Sequence, residues 1–563
     1  MSTLNRIKVA NKEFKFPIKE LPEHLHLKST VYILFDNDKT QIYIGITTSV
    51  KTRSVDHFND VRKKGFDKML VFSGVELDEA IARGVESKLL KLILADGKYS
   101  RSQIINSRLN QNIPDQIKIM KKVDWFVEEI WNHMYENKFV LTKNLDIVTN
   151  NLLFKYSPFT CLDKFQQETL EDIITDLVSE TPVKSISDII GGPGTGKSLL
   201  VIKLVFELVY TRGVSQDRIS IYVPQVPNHK KIIQLLKLLD LTRVKVLRGK
   251  NLVNGKFDIL IVDEAHRMKK YYAKQANVLK YLNKGDYNDL SLAFNNSNHL
   301  IVLRDSLQFV RPSDINHKEF NNLIDHFLKE DSVKYKRYIL NEQHRIHGGN
   351  EYINFIEKFL GIERIESRID LTNDECENFG EYNIREAQNV KQLHEVIKDL
   401  DQECSLCRIA AGYYVEWASK RFSKKIVRDP YNRDIIYDFD FDGYKLIWNS
   451  TDEEWVSSNN SVNEVGCVHT LQGADLNYCG VIIGDDVYYD IKTNRLEINV
   501  DKVKDRNAIP IGFDGQSESY EELREYVLNA YYVLLTRGIR GTFVYFVDKT
   551  VTDHFYKVKK NYQ

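Results

Sequence analysis

The chain has 563 residues, 42% apolar and 11% aromatic, enough to fill several hydrophobic cores, so two to four domains are expected. Charged residues make up 28%, no apolar run approaches the roughly 18–20 residues that span a bilayer, and the start MSTLNRIKVANKEFKF lacks the apolar core of a signal peptide, so no membrane partner is expected and the cytoplasm is the expected compartment. Net charge is zero, with 79 basic and 79 acidic residues, yet residues 1–112 carry 19 Lys+Arg against 13 Asp+Glu and the remainder 60 against 66, so a basic N-terminal module suited to a polyanion precedes an acidic body.

In chain order, the first segment reads as a strand (Val31–Phe35), a DNDKT turn, a second strand (Gln41–Ile46) and a helix from about Lys51. A second helix covers about Asp78–Leu94, with Ala82, Val85, Leu89 and Leu92 at helical spacing. Residues 113–155 read as a helical connector built on WFVEEIWNHMY. Strands near 185–190, 219–224, 257–262 and 299–303 then alternate with helices, which implies a parallel sheet and an α/β fold. A further α/β region runs from about 335 to the end, with strands near 406–410, 480–484 and 542–547 and a polar, irregular insertion at 420–460. Six cysteines in so long a chain are no disulfide framework, and the lone Cys404–Cys407 pair, without a second CxxC, reads as packing and not as a zinc or redox site.

The strongest chemical signal is SISDIIGGPGTGKSLL. Gly191, Gly194, Gly196, Lys197 and Ser198 stand between an apolar strand and an amphipathic helix, where glycines let backbone N–H groups wrap phosphates. Lys197 is expected to reach the β/γ-phosphates of ATP and Ser198 to ligate Mg²⁺. Downstream, FDILIVDEAHRM is an apolar strand ending in Asp263-Glu264-Ala265-His266. An acid there faces the phosphates, so Asp263 is expected on Mg²⁺ and Glu264 on the attacking water.

The order LDKFQQ (162–167), P-loop, DEAH, RDSLQ (304–308), LNEQHR (340–345), VHTLQGADL (468–476) and YVLLTRG (532–538) resembles the superfamily-one helicases. The Q-x-x-G-R-x-x-R stretch of superfamily two is missing from the sequence. That resemblance implies two RecA-like lobes. Gln166, or its neighbour Gln167, would read adenine, Gln308 would sense the γ-phosphate, and Arg345 and Arg537 would be arginine fingers from the second lobe. Gln472 and Gly473 would couple nucleotide to nucleic acid. More narrowly, AAGYYVEWAS, NEVGCVHTLQGADLNYCGVIIGDDVYY and NAYYVLLTRGIRGTFVYFVD look like the Schlafen-like DNA/RNA helicase-domain family over roughly residues 160–550. Departures are Asp475, where glutamate is common, and Ala530 and Tyr532, where threonine and arginine are usual.

The N-terminal segment holds Tyr32, then Tyr43-Ile44-Gly45, then Arg53 and His57 at i and i+4 on one helical face, then Glu86 and Asn110. Singly these are a strand aromatic, a solvated histidine or a helix-surface acid. In this order they resemble the GIY-YIG nucleases over residues 29–112, with Thr30-Val31-Tyr32 in place of Gly-Ile-Tyr. The resemblance implies that Glu86 binds one divalent metal, Mg²⁺ or Mn²⁺. Arg53 would neutralise the phosphate, and Tyr32 would handle the proton of the attacking water with Tyr43 and His57 in support.

The expected organisation is a GIY-YIG domain (1–112), a connector (113–155), a first RecA-like lobe (156–332) and a second lobe (333–563). The expected function is an ATP-dependent nuclease–helicase acting on nucleic acid, DNA rather than RNA, in phage defence or DNA repair. The alternatives are a nucleotide-gated nucleic-acid-binding regulator and an RNA-directed ATPase switch that does not unwind.

Overall fold

The computed structural model describes residues 10–18, 29–106, 117–160, 162–179, 183–253, 255–270, 288–329, 333–363, 379, 382–421, 436–451, 454–505, 508–510 and 516–560. Its contacts divide it into two units, one of Met1–Glu180, Ser198–Ile219 and Lys231–Lys245, the other of Thr181–Lys197, Ser220–Lys230 and Val246–Gln563. Among the described residues no helix is long and apolar enough to cross a membrane.

In the first unit, β1 (Ala10–Lys15), β2 (Thr30–Phe35), β3 (Ile42–Thr47) and β4 (Lys68–Ser73) form an antiparallel sheet in the order β1-β4-β2-β3. The DNDKT turn closes β2 onto β3 because the Asp36 carboxylate accepts from the Thr40 and Gln41 N–H groups, each at 2.8 Å. Helix α1 spans Val50–Asn59 and α2 spans Glu79–Asp96. Asp78 caps α2 by accepting from Ile81 N, and Gly97, at φ 78°, ends it. Ala82, Val85, Leu89 and Leu92 are all buried, as their spacing predicts. Each large apolar side chain so buried stabilises by roughly 1.5–3 kcal/mol. Helix α3 (Ile117–Glu136) packs on α2, closely enough that a Cβ on Gly84 would sit 2.6 Å from Val123.

The second unit contains most of a six-stranded sheet in the order β10-β5-β9-β8-β6-β7. Its strands are β5 (Ser185–Gly191), β6 (Ile219–Tyr222), β7 (Lys245–Leu247), β8 (Phe257–Val262), β9 (Ser297–Arg304) and β10 (Lys334–Leu340). The apolar run of β5 is buried along its whole length, as a central parallel strand requires. The P-loop, DEAH, D-x-x-Q and Q-x-R segments follow β5, β8, β9 and β10, so all four leave the carboxyl edge of one sheet. Residues 334–340, expected to open the second lobe, instead pair in parallel with β5 as the edge strand of this sheet.

A second parallel sheet has the order β11-β19-β16-β12-β15, from β11 (Asn383–Glu386), β12 (Cys407–Ala411), β15 (Val465–Gly466), β16 (Leu476–Ile483) and β19 (Gly538–Phe546). Hairpins β13 (Phe439–Phe441)–β14 (Tyr444–Leu446) and β17 (Val487–Asp490)–β18 (Arg495–Ile498) stand outside it. The described end of the expected polar insertion is not irregular: Phe439, Leu446 and Trp448 are buried in a core with Ile409 and Val465. Cys404 and Cys407 are free thiols, their sulfurs 3.6 Å apart.

Candidate active sites

In the β2–β3 register Tyr32 lies directly opposite Gly45. A Cβ on Gly45 would fall 2.4 Å from Tyr32 Oη and 3.0 Å from Tyr43 Cε1, so only glycine lets the phenol lie across the strand. Thr30, where the nuclease family has glycine, is regular strand paired with Thr47 and Ser73, and its hydroxyl donates to Thr47 O at 3.0 Å. The departure leaves the β2 backbone intact.

Helix α1 brings Arg53 and His57 to the same phenol. Arg53 Nε donates to Tyr32 Oη at 3.4 Å, and His57 Nε2 is hydrogen-bonded to the same oxygen. Tyr43, half-buried, meets the His57 ring edge to face at 5.0 Å. Burial pushes the Tyr32 phenol well above its ordinary value, with Arg53 opposing. Burial, then the Lys63 and Arg53 charges, hold His57 down to about 3.

Glu86 projects from α2 and is buried. Among the described residues its carboxylate has neither a hydrogen-bond nor an ion-pair partner, and burial pushes it up to about 7 against the opposing charges of Arg53 and Arg83. A buried carboxylate without a partner is costly. Oxygen donors of this kind suit a hard divalent cation, so the residues present fit the expected metal. A cleft of ≈ 260 Å³ opens beside Arg53, walled by Ser29, Thr47, Thr48 and Arg83.

Sequence reasoning missed two residues here. Asn110 lies outside the described residues, while Asn106 clamps the Tyr-Ile-Gly strand: it accepts from Ile44 N at 3.1 Å and donates to Ile44 O at 2.6 Å. Lys63 lies against His57, with Nζ 2.6 Å from Nδ1. The lysine-rich VRKKG carries no spacing that marks it out.

In the second unit, the P-loop glycines Gly194 and Gly196 have φ of 77° and 82°, the left-handed conformation that turns N–H groups inward. Lys197 is buried and donates to Gly191 O at 2.6 Å and Gly192 O at 2.8 Å, with Asp305 3.8 Å away. A glycine nest with a buried ammonium fits a polyphosphate. Glu264 sits at φ 57°, a strained region for a non-glycine residue, with its carboxylate 2.9 Å from His266 Nε2. Burial alone would raise the Glu264 acid, but the His266, Lys197 and Arg537 charges hold it below its ordinary value. Asp263 is buried beside it and accepts from Glu264 N.

Gln308 Nε2 donates to Asp305 Oδ2 at 2.8 Å. Gln472 Nε2 in turn donates to Gln308 O at 2.9 Å, and its own oxygen accepts from Gln225 Nε2 at 3.0 Å. Gly473, at φ 82°, sits where a Cβ would strike Asn228. Lys197, Asp305, Gln308, Gln472 and Gln225 thus form one continuous polar chain, in which sequence reading placed Asp305 only within RDSLQ, without a role, and missed Gln225. Arg345 is tethered to Asp475 Oδ1 (2.9 Å) and Thr536 O (3.0 Å). Arg537 is buried, donates to Val533 O at 2.9 Å, and is lowered to about 10 by burial and then by Arg345. Both guanidiniums feel or impose the charges of this site. Gln343, the first letter of Q-x-R, donates to Pro193 O within the P-loop.

In the first unit, Gln166 is buried and closes a capping box, its amide oxygen accepting from Asp163 N at 3.1 Å. Gln167 and Ser198 are half-buried, on the helices Lys164–Leu177 and Lys197–Phe206.

Residues 184–548 match the family model of the Schlafen group 3 DNA/RNA helicase domain, and residues 28–89 match that of the GIY-YIG catalytic domain. An uncharacterized protein of Saccharomyces cerevisiae is 26% identical over 409 residues, 66% of this chain and 83% of that protein. Among solved structures, the DUF1998 helicase MrfA bound to DNA aligns over 70% of this chain at 10% identity and a TM-score of 0.29; only 47% of MrfA is covered, about half its length. A DEAD box protein from Methanococcus jannaschii aligns over 73% of this chain and 94% of its own, with 12% identity and a TM-score of 0.25.

Proposed function

The chain belongs to the family of Schlafen group 3 DNA/RNA helicase domains, here joined to a GIY-YIG catalytic domain, and from that premise we propose that it is an ATP-driven motor on nucleic acid that carries its own cutting site. The observation that carries the cutting half is the convergence of Arg53 Nε and His57 Nε2 on Tyr32 Oη, with the buried Glu86 carboxylate in the field of the same Arg53. A phenol oxygen that receives two N–H groups is suited to bear negative charge. As the phenolate, its own proton first released to solvent, Tyr32 would take the proton of the attacking water as the new P–O bond forms and the bond to the leaving oxygen breaks. Arg53 would neutralise the phosphate, Tyr43 and His57 would orient the phenol, and Glu86 would hold the cation. A bound Mg²⁺ or Mn²⁺ supplies Lewis-acid polarisation of the phosphate and eases departure of the leaving oxygen.

For the motor, Lys197 would exchange the Gly191 and Gly192 carbonyls for ATP phosphates, with Ser198 and Asp263 on Mg²⁺. Glu264 would leave His266 to orient water, Gln308 would follow the γ-phosphate, and Gln166 would read adenine. Arg345 and Arg537 would steady transition-state charge as their lobe closes. Gln472 lies in the polar chain that runs from Lys197 to Gln225, and Gly473 lies against Asn228, which supports their role as the link to nucleic acid. DNA is the proposed polymer, phage defence or DNA repair the proposed setting, and the cytoplasm the proposed compartment. The proposed division is nuclease at 1–112, connector at 113–155, first lobe from 156 through the β10 strand, and second lobe beyond it.

The test is to incubate the purified chain with supercoiled plasmid, linear duplex, single-stranded DNA and RNA, in Mg²⁺ or Mn²⁺, with and without ATP. Metal-dependent cutting modulated by ATP is expected. A folded chain that hydrolyses ATP and cuts none of the four in either metal overturns the cutting half.

A further inference from the structure

Lysine is among the residues least often buried, yet Lys63 is only 6% exposed. It ends a single helical turn, Val61–Lys63, which Asp60 caps by accepting from Arg62 N. Its ammonium lies 2.6 Å from His57 Nδ1, 3.7 Å from the centre of the Tyr43 ring and 3.9 Å from an Asp60 oxygen. An ammonium has three donors and no acceptor. Against His57 Nδ1 it can only donate, so Nδ1 is the unprotonated nitrogen. A neutral ring then carries its hydrogen on Nε2, the nitrogen bonded to Tyr32 Oη. Arg53 Nε, which is always a donor, reaches the same oxygen. The hydrogen bonds therefore run in one direction, from Lys63 to His57 to Tyr32.

We propose that Lys63 is a positioning residue of the nuclease site, which fixes His57 as the Nε2–H tautomer and so makes His57 a donor to Tyr32 Oη. Its effect on cutting rests on the nuclease reading above, whereas the tautomer does not. The charges around the ring agree. Burial and the Lys63 and Arg53 cations keep His57 neutral near pH 7, and only Asp60 opposes them. Lys63, lowered to about 8 chiefly by burial, remains an ammonium there. Without that donor the ring is free to move its hydrogen to Nδ1. Nε2 would then accept from the phenol, and Tyr32 would lose one of the two N–H groups that favour its anionic form.

The experiment compares wild type, Lys63→Met and Lys63→Gln in the full chain. The two replacements are similar in length, and only glutamine keeps an N–H to give. ¹⁵N-histidine NMR, with His57→Gln to assign the signal, reads the tautomer. Plasmid nicking reads kcat and KM, and ATP turnover and melting temperature report folding. The expected results are Nε2–H in wild type and Lys63→Gln, and Nδ1–H or a mixture in Lys63→Met. Lys63→Met should lose about 10- to 100-fold in kcat with KM unchanged, by analogy with residues that orient metal-ligating side chains, and Lys63→Gln should regain most of it. An Nδ1–H ring in wild type, or a folded Lys63→Met that keeps Nε2–H or cuts at the wild-type rate, overturns the proposal. If wild type cuts nothing, the nuclease reading fails while the His57 signal still decides the tautomer.

Discussion

Gly45→Ala places one methyl group where the Tyr32 phenol lies. The new Cβ would stand 2.4 Å from Tyr32 Oη and 2.5 Å from Cζ, whereas ordinary contact begins at 3.4 Å. The end of the ring must therefore withdraw by about 1 Å. Tyr32 is fully buried, packed with Leu34, Val50 and Val71, so it has little room to do so. Overfilling of this kind costs about 1–3 kcal/mol. A displacement of about 1 Å also carries Oη away from Arg53 and His57, and misplacement on that scale costs about 10²-fold in rate. Nicking of a supercoiled plasmid should fall by that factor, ATP turnover should persist, and denaturant unfolding should show the loss of stability. In a Tyr32→Leu background the para carbon and oxygen are gone. The same Gly45→Ala change should then cost no more than about 0.5 kcal/mol, leaving a measurable coupling between the two positions. Wild-type nicking and stability in Gly45→Ala would refute the idea that this glycine exists to seat the phenol.

Lys197→Ala should abolish ATP turnover, followed as phosphate release with nucleic acid present, and leave the melting temperature near wild type. Arg345→Ala and Arg537→Ala should each reduce hydrolysis by about 10³–10⁵ while changing nucleotide affinity far less; equal losses in both would make them ground-state ligands. Because Arg537 is buried and bonded to Val533 O, its variant should also melt lower than Arg345→Ala. The His57 contribution to stability should be lost as the pH drops from 6.5 towards about 3, because unfolded His57 takes up a proton in that window and native His57 does not, while Glu86, raised to about 7, contributes with the opposite sign. His57→Gln should flatten that part of the pH–stability curve.

What the sequence made legible was local and periodic. Arg53 and His57 share a face because they are one helical turn apart, and the α2 stripe and the P-loop carry their spacing in plain view. The β10 strand KYKRYIL is buried only at Leu340 and otherwise half-buried or exposed, and nothing local says which sheet it joins; pairing with β5 decides that. Strand β1, far from β4 in sequence, is set by the same kind of long-range pairing. Asn106 and Asn110 are equivalent on paper, and only the fold shows Asn106 bonded to both sides of Ile44. Lys63 and Lys64 look alike in the sequence, but one is buried against His57 and the other exposed. The P-loop and DEAH motifs gave the residues gathered around Lys197, while the polar chain through Asp305, Gln472 and Gln225 needed side-chain geometry to appear.

The most direct measurement is nicking of a labelled substrate by wild type, Glu86→Ala and Lys197→Ala, with ATP turnover recorded on the same preparations and circular dichroism as the folding control. Glu86→Ala should cut nothing yet hydrolyse ATP, because the buried carboxylate that would hold the cation is gone. Lys197→Ala should lose ATP turnover and the dependence of cutting on ATP, while the cutting chemistry itself survives. A folded Glu86→Ala protein that cuts as fast as wild type would contradict the assignment of cutting to the Tyr32, Arg53, His57 and Glu86 site.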